Sequence, residues 1–240
     1  RLSESARELG IRVVTYGRPD KSVVDADVTI CDVEMTPSSC RARVSYGDIS
    51  AELSLGVSGV HNILNAVGAW IAGVELGVEP GLMASSLAGF TGTARRFELR
   101  GTVGDRRVFD DYAHHPTEVS VAIEQARLVA DGADVTVVFQ PHLYSRTRLF
   151  ADRFAKALSG ADHVVLADIY AAREDEDPAV TSGLIADQIE GAECVHDMHE
   201  AARTGARLTG SRGVLITMGA GSITQCADDV IDEWQRMDAS

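Results

Sequence analysis

The stretch DDYAHHPTE, residues 110–118, places two carboxylates, a phenol and two imidazoles within six positions. Imidazoles and carboxylates transfer protons and hold charged substrates near neutral pH, so the stretch predicts part of a reactive site. A structural interpretation is also open, and we expect that either Asp110 or Asp111 caps the helix predicted to begin near Pro116. His114 and His115 could likewise be solvated loop residues.

A second stretch, QPHLYSR (140–146), places His142 and Arg146 one helical turn apart, which suits a carboxylate or a phosphate. GAGSIT (219–224) could cradle an anion at a helix start, although the same pattern makes an ordinary strand-to-helix turn. DIYAARE (168–174) adds further charged and aromatic groups.

The stretch VHNILNA, residues 60–66, places Asn62 and Asn65 three apart at the start of a predicted helix, hence on one face. An asparagine amide can donate a hydrogen bond to adenine N7 and accept one from the N6 amino group. The pair could therefore bind a purine. Helix-start polarity would explain one asparagine without a ligand. His61 could pack beside a base or be exposed.

The pattern of predicted strands and helices changes at GFTGTARRFE (89–98). We place a domain boundary there, between residues 1–92 and residues 93–240. Arg95 and Arg96 could reach a phosphate across an interdomain cleft or form an interdomain salt bridge.

Beyond the boundary, a hairpin around Gly104 is followed by alternating helices and apolar strands. This alternation predicts a doubly wound α/β domain, in which ligands bind beyond the carboxyl ends of parallel strands. All four polar stretches from 110 onward follow or end a predicted strand. The predicted helices are 117–130, 147–158, 182–190, 199–208 and 223–236, and the strands are 135–139, 163–168, 193–196 and 213–218.

Before the boundary, the pattern predicts two strands, a hairpin around Gly47-Asp48 and two helices. Gly77 stands at the C-terminal cap of the first helix. These elements are strands 11–16 and 28–33, hairpin 42–55, helix 60–77 and a helix from Pro80 to Ala88.

The composition argues against several classes of binding partner. The net charge of −14 argues against binding to nucleic acid or an anionic membrane, and no apolar run approaches the roughly 20 residues that span a bilayer. The four cysteines form no CxxC pair, which indicates reduced thiols in a cytoplasmic protein rather than a metal site. REDEDP (173–178) is interpreted as a solvated acidic loop, and we assign no metal ligand.

The motifs GVHNILNAVGAW, GTARRFE, DDYAHHPTE, QPHLYSRT and DIYAARE, in this order, resemble the Mur ligases. The family has a UDP-substrate domain, a central ATPase domain with a Gly-Lys-Thr phosphate loop, and a Rossmann-like C-terminal domain. This chain has no such loop, and neither Lys21 nor Lys156 could belong to one. The resemblance implies that 1–92 is the back part of the central ATP-binding domain and 93–240 the C-terminal domain, so we expect a fragment of a longer enzyme.

Within the family, the motifs look most like those of the branch that joins L-alanine to UDP-N-acetylmuramate in peptidoglycan biosynthesis. That reaction uses ATP and Mg²⁺ and passes through an acyl phosphate; the magnesium ligands are expected mostly outside this chain. The resemblance assigns nucleotide contacts to His61, Asn62, Asn65, Asp111 and Tyr112, and stabilisation of the transferring phosphoryl group to Arg96. It implies that His114, His142 and Arg146 hold the muramoyl-alanine carboxylate and orient the amine.

The chain departs from the family's usual pattern at two positions. Leu143 replaces an arginine, which removes an expected cation from the substrate cleft and suggests that Arg148 takes part instead. Ser222 replaces an acid. Two other functions stay open: a ligase that recycles a whole tripeptide onto UDP-N-acetylmuramate, and a non-catalytic nucleotide-binding module.

Overall fold

The computed structural model describes residues 2–19 and 26–239, so Lys21 lies outside the described residues. The chain divides into two compact units, Arg1–Gly92 and Thr93–Ser240. Among the described residues, no helix combines the length and the apolar character needed to cross a bilayer.

The first unit packs helices on a four-stranded sheet of order β1-β2-β3-β4, in which β1 and β2 are parallel and the other pairs antiparallel. Its core includes the fully buried Trp70 and Ile63. Its elements are α1 (Leu2–Glu8), β1 (Tyr16–Gly17), β2 (Val28–Met35), β3 (Cys40–Tyr46), β4 (Ile49–Leu55), α2 (Val60–Glu75) and α3 (Pro80–Ala88).

The predicted hairpin and helix end of this unit are confirmed. Tyr46 pairs with Ile49 across a two-residue turn, and Gly47 in that turn has φ +55°, a conformation that glycine adopts without steric cost. At the end of α2, Gly77 has φ +89° and its amide donates to Val74 O, while the next amide donates to Gly73 O. These bonds form the Schellman arrangement that satisfies the last helical carbonyls.

The strand predicted over 11–16 is wrong for most of its length, because only Tyr16–Gly17 pairs with β2. The amide and hydroxyl of Thr15 instead donate to the Asp27 carboxylate at 2.7 and 2.8 Å. A side-chain acceptor therefore takes hydrogen bonds that a strand would place in its ladder.

The second unit is built on a six-stranded sheet of order β5-β6-β10-β7-β8-β9, parallel except for the edge strand β5. Its strands are β5 (Glu98–Val103), β6 (Arg106–Asp111), β7 (Val135–Phe139), β8 (His163–Leu166), β9 (Glu193–Cys194) and β10 (Val214–Met218). Its helices are α4 (Pro116–Ala130), α5 (Tyr144–Leu158), α6 (Gly183–Ala186), α7 (Met198–Leu208) and α8 (Ala227–Asp238).

Helices cover both faces of this sheet, which confirms the predicted doubly wound architecture. Val137 and Phe139 enter one core cluster with residues of α4 and α5, whereas Val138 enters another with residues of α7 and α8. Alternate residues of one strand thus pack against the helices on opposite faces of the sheet. Because both faces are buried, the strand sequences are apolar throughout.

Two predicted helices differ from the structure. The helix expected at 182–190 is reduced to the four residues of α6, followed by turns with amide bonds three residues back, such as Ile189 N to Ala186 O. The helix expected at 223–236 begins as a 3₁₀ segment, Ser222–Cys226, before α8. There the Ile223 amide donates to the side chain of Gln140 at 3.1 Å.

Candidate active site

Four loops meet at the carboxyl edge of the parallel strands in the second unit. Asp111 is level with Met218 across the β6–β10 pair, Met218 with Phe139, and Phe139 with Leu166. The segments after these residues are the polar stretches that the sequence singled out. The structure therefore brings them to one edge of one sheet, the position where α/β domains bind ligands.

His142 is the centre of a cluster of cationic and aromatic groups at this edge. Its ring centroid lies 6.1 Å from that of His114 and 5.7 Å from that of Tyr170, which stacks on it. Arg146 Nη1 lies 3.4 Å from His142 Nδ1. Because a guanidinium only donates hydrogen bonds, His142 Nδ1 accepts and the imidazole proton resides on Nε2.

The charge state of His142 follows from the same surroundings. Burial lowers the pKa of His142, and the nearby Arg146 and His114 lower it further. The ring is therefore neutral at pH 7, and its Nε2–H is a hydrogen-bond donor beside the fixed positive charge of Arg146. Such a group can bind an anionic substrate or hold an amine without repelling it.

Backbone bonds between the β7 and β8 loops hold His142 in place. The Leu143 amide donates to Tyr170 O at 2.9 Å and the Tyr170 amide donates to Pro141 O at 2.8 Å, which extends the strand pairing past the strand ends. Leu143 itself has φ +73° and is only 5% exposed. Its side chain packs in the interior, so at this position the departure from the family pattern changes a buried group.

The loop after β6 is fixed by Glu118. His115 is the N-cap of α4, its Nδ1 accepts from the Thr117 amide at 3.3 Å, and the Glu118 carboxylate accepts the amides of His114 and His115 at 3.0 and 3.2 Å. The expectation that one of the two aspartates caps this helix is wrong. The spacing of His115 and Glu118 matches a capping box with histidine in place of serine or threonine.

Asp110 is fully buried and forms part of a polar network. Its carboxylate accepts hydrogen bonds from Arg95 Nε at 3.1 Å, Thr217 Oγ1 at 3.0 Å and Thr224 Oγ1 at 2.7 Å. Arg95 also donates to the carbonyl of Gly219 at 2.7 Å. Arg95 therefore makes a salt bridge to Asp110 within the second unit.

Asp111 and Tyr112 lie beside Arg96. The Asp111 carboxylate accepts the amides of Phe97 and Ala113 at 2.8 and 2.7 Å. Burial raises the pKa of Asp111, against these two hydrogen bonds and the charge of Arg96. The Arg96 guanidinium is 5.6 Å from the centroid of the Tyr112 ring, and the arginine is exposed.

The glycine-rich turn after β10 is closely packed. A Cβ at Gly221 would come within 2.5 Å of Gln140 Oε1 and 2.7 Å of Tyr170 Cγ, which only glycine avoids. Ser222 Oγ lies 3.2 Å from the sulfur of Met198. These contacts favour the interpretation of this segment as a strand-to-helix turn.

The acidic loop, predicted to be solvated, supports the start of α5. Glu174 accepts a hydrogen bond from the Ser145 amide at 2.9 Å, and Asp177 pairs with Arg148. Leu143, the N-cap residue of α5, provides no side-chain cap, so Glu174 supplies an acceptor that the local sequence lacks. Arg148 thus pairs with an acidic residue on the surface.

In the first unit, His61, Asn62 and Asn65 lie near the start of α2 as predicted. The Asn62 amide donates to Ser58 O at 2.7 Å, His61 is half-buried and Asn65 is exposed. This hydrogen bond fixes Asn62 at the helix start and uses one hydrogen of its side-chain amide. The second amide hydrogen and the side-chain oxygen could contact a ligand.

Sequence reasoning missed Tyr170, Glu118 and Gln140, whose contacts position the residues it selected. Of these three, only Glu118 had a local sequence pattern that predicts its role, because it lies three residues after the helix N-cap.

The sequence matches the family described as Mur ligase, glutamate ligase domain, over residues 95–221. The chain belongs to the Mur ligases. The matched segment contains Arg96, Asp111, His114, His142 and Arg146.

Relatives of this Mur ligase chain carry a more specific name. It is 45% identical over 235 residues to the UDP-N-acetylmuramate–L-alanine ligase of Kineococcus radiotolerans, covering 96% of this chain and 49% of that protein. The crystal structure of the UDP-N-acetylmuramate–alanine ligase of Thermotoga maritima superposes with a TM-score of 0.74 at 27% identity, covering 93% of this chain and 48% of that one. The chain therefore spans about half the length of the curated relatives it matches.

A murein peptide ligase from Psychrobacter arcticus shares the fold, with a TM-score of 0.69 at 21% identity over 97% of this chain and 49% of that one.

Proposed function

We propose that the chain is part of an enzyme that uses ATP to ligate L-alanine to UDP-N-acetylmuramate in peptidoglycan biosynthesis. One observation carries the proposal: the carboxyl edge gathers His114, His142 and Arg146 in a chain 45% identical, over nearly all its length, to a ligase named for this reaction. The carboxylate of an amino-acid substrate needs a local cation in a protein of net charge −14, and Arg146 supplies one.

We assign binding of the amino-acid carboxylate to Arg146, whose guanidinium has the fork geometry that carboxylates prefer. His142, neutral at pH 7, donates through Nε2 and orients the substrate without adding a charge that would repel an ammonium group. His114 is held by its own backbone, because its Nδ1 lies 2.9 Å from Tyr112 O. The contribution of these groups is positioning, which can supply several kcal/mol of a barrier.

The second group of residues fits a nucleoside triphosphate. ATP supplies the phosphoryl group that activates the muramate carboxylate, with Mg²⁺ held mostly outside this chain. Arg96 offers an exposed guanidinium suited to charge on the transferring phosphoryl group, and Asp111 has oxygen lone pairs beyond those used by the two amides. We assign Tyr112 to the same nucleotide contacts.

We assign adenine contacts in the whole enzyme to Asn62 and Asn65, with His61 beside them. The charge and the four free thiols favour small-molecule partners in a reducing compartment such as the cytoplasm, rather than nucleic acid or a membrane. Because Arg148 pairs with Asp177, we assign it only a secondary part in substrate binding.

The test is a chimera that joins the N-terminal half of the Kineococcus radiotolerans relative to this chain. We expect release of ADP that depends on both UDP-N-acetylmuramate and L-alanine. The 240-residue chain alone should show none, because its sequence has no Gly-Lys-Thr loop. Turnover with a tripeptide but not with L-alanine would favour the recycling ligase, and nucleotide binding without turnover would favour a binding module.

Two variants of the chimera separate the assigned roles. Asp111→Asn should weaken ATP binding by about 1.5–3 kcal/mol, the range for hydrogen bonds to charged groups. His142→Ala should raise KM for L-alanine or lower kcat and leave ATP affinity little changed. Equal effects of both variants on ATP and alanine would contradict the assignment.

A further inference from the structure

Three different metal-ligating groups converge where α7 packs against the start of α8. The side chains are His199 on α7 and Cys226 and Asp229 around the first turn of α8, and one ligand atom from each lies within 4.8 Å of the others. His199 Nδ1 is 2.7 Å from Asp229 Oδ2 and 3.8 Å from Cys226 Sγ. Cys226 and Asp229 lie 27 and 30 positions after His199, so no short motif in the sequence indicates this cluster.

The arrangement does not suit a thiol nucleophile. In a Cys-His-Asp relay, the thiol and the carboxylate use different nitrogens of the imidazole, whereas here both face Nδ1. Cys226 is also fully buried, so a substrate cannot reach its sulfur. Convergence on one point is instead the geometry of ligands around an ion.

The separation of the sulfur and the imidazole nitrogen is close to that of a tetrahedral zinc site. Zinc–ligand bonds of ~2.3 Å to sulfur and ~2.0–2.1 Å to nitrogen place these two atoms about 3.6 Å apart at a tetrahedral angle. The observed separation of His199 Nδ1 and Cys226 Sγ is 3.8 Å. The Nδ1–Oδ2 separation is shorter than the roughly 3.4 Å of two zinc-bound atoms, so it would widen as the ion replaces the shared proton.

Arg203 orients the carboxylate for this role. Its Nη1 donates to Asp229 Oδ1 at 2.8 Å and its Nε donates to Glu200 at 2.9 Å, which leaves Oδ2 as the oxygen that faces His199. A partner that fixes one carboxylate oxygen while the other points at the ion is typical of the outer shell of metal sites. The His199 side chain is 42% exposed, which gives an ion and a water ligand a route from solvent.

We propose that His199, Cys226 and Asp229 bind one divalent ion of the zinc class, with water as the fourth ligand. Sulfur and imidazole ligands select zinc over Mg²⁺, which prefers an all-oxygen octahedron, so this site is distinct from any that serves ATP. Binding releases the proton of the Cys226 thiol to solvent, and the ring proton of His199 resides on Nε2 when Nδ1 binds the ion. The bound ion links α7 to α8.

The test uses Co²⁺ as a spectroscopic probe on the whole 240-residue chain, followed by displacement with Zn²⁺. We expect one equivalent of Co²⁺ per chain, a sulfur-to-cobalt charge-transfer band, and loss of the band when Zn²⁺ is added. Cys226→Ser should abolish the band. The matched control Cys194→Ser removes an exposed thiol outside the cluster and should leave it unchanged.

His199→Gln keeps the proposal testable if the cysteine variant fails to fold, because it alters a half-exposed side chain. It should weaken Co²⁺ binding by more than about 100-fold, since loss even of an outer-shell partner costs 10–100-fold. The absence of a charge-transfer band in the wild-type chain would overturn the proposal. So would a band that persists in Cys226→Ser or disappears in Cys194→Ser.

Discussion

Arg95 and Arg96 are neighbours in the sequence, and both guanidinium groups lie over the Tyr112 ring, but their hydrogen bonding and exposure differ. Arg95 has φ +60°, and its guanidinium bonds the fully buried Asp110 and the Gly219 carbonyl. Arg96 is exposed and contacts the Tyr112 ring. The first arginine therefore serves the fold, and the second is available to a ligand.

Replacing Arg95 with alanine should strongly destabilise the second unit. The change leaves the Asp110 carboxylate buried with only two threonine hydroxyls as donors, and breaking a buried pair costs about 3–5 kcal/mol. Because the Arg95 side chain is 25% exposed, we expect the lower end, about 3 kcal/mol, measured by urea denaturation.

The adjacent Arg96→Ala is the matched control. It removes an exposed cation–π contact, and its effect on the free energy of unfolding should stay below about 1 kcal/mol. Similar losses for both variants would show that Arg95 is not the residue that supports Asp110.

At the scale of elements, α7 packs closely against the central strands at Gly205. Gly205 is buried in this helix, and a Cβ at this position would come within 2.5 Å of Val138 Cγ2 and 3.3 Å of Leu215 Cδ1. The next turn is tied to the sheet by the Thr209 hydroxyl, which donates to the Thr136 hydroxyl at 2.9 Å. The helix reaches this depth because glycine has no side chain there.

Gly205→Ala should therefore destabilise the protein although alanine favours helices. Overpacking costs about 1–3 kcal/mol, and the gain in helix propensity offsets at most about 1 kcal/mol of it. We expect a net loss of about 1–2 kcal/mol in the free energy of unfolding, measured by thermal or urea denaturation.

Thr204→Ala, at the preceding half-buried position, should change the stability by less than about 0.5 kcal/mol. A Gly205→Ala variant more stable than the wild type would mean that the helix can move away from the sheet at little cost.

At the scale of the molecule, the two units have separate hydrophobic cores. The second unit contains all six strands of its sheet and the helices on both faces, and among the described residues its buried clusters consist of residues from 97 onward. The first unit is smaller, and a smaller domain buries a smaller fraction of its surface.

Residues 93–240 should fold alone. Calorimetry should give one cooperative transition with an unfolding enthalpy of about 100 kcal/mol, from the ~0.7 kcal/mol per residue typical of globular domains. In the whole chain, limited proteolysis should digest residues 1–92 before this unit. The reverse order of digestion would contradict the division of the chain.

The sequence by itself determined the doubly wound architecture, the helix α2 with its glycine end, and the stretches that lie at the carboxyl edge. These features follow from local patterns: continuous apolar strands, helical spacing, and turn residues such as Gly47 and Gly77. It also determined the family, because the motifs around His114 and His142 are short and contiguous.

Only the tertiary structure decided which groups serve the fold and which remain for chemistry. Arg95 and Arg96 are equivalent in the sequence, and the buried Asp110 distinguishes them. His199 meets Cys226 only because α7 and α8 pack on the same face of the sheet. The physical reason is that hydrogen bonds and coordination depend on distances of a few ångströms between residues far apart in the chain, which no local pattern records.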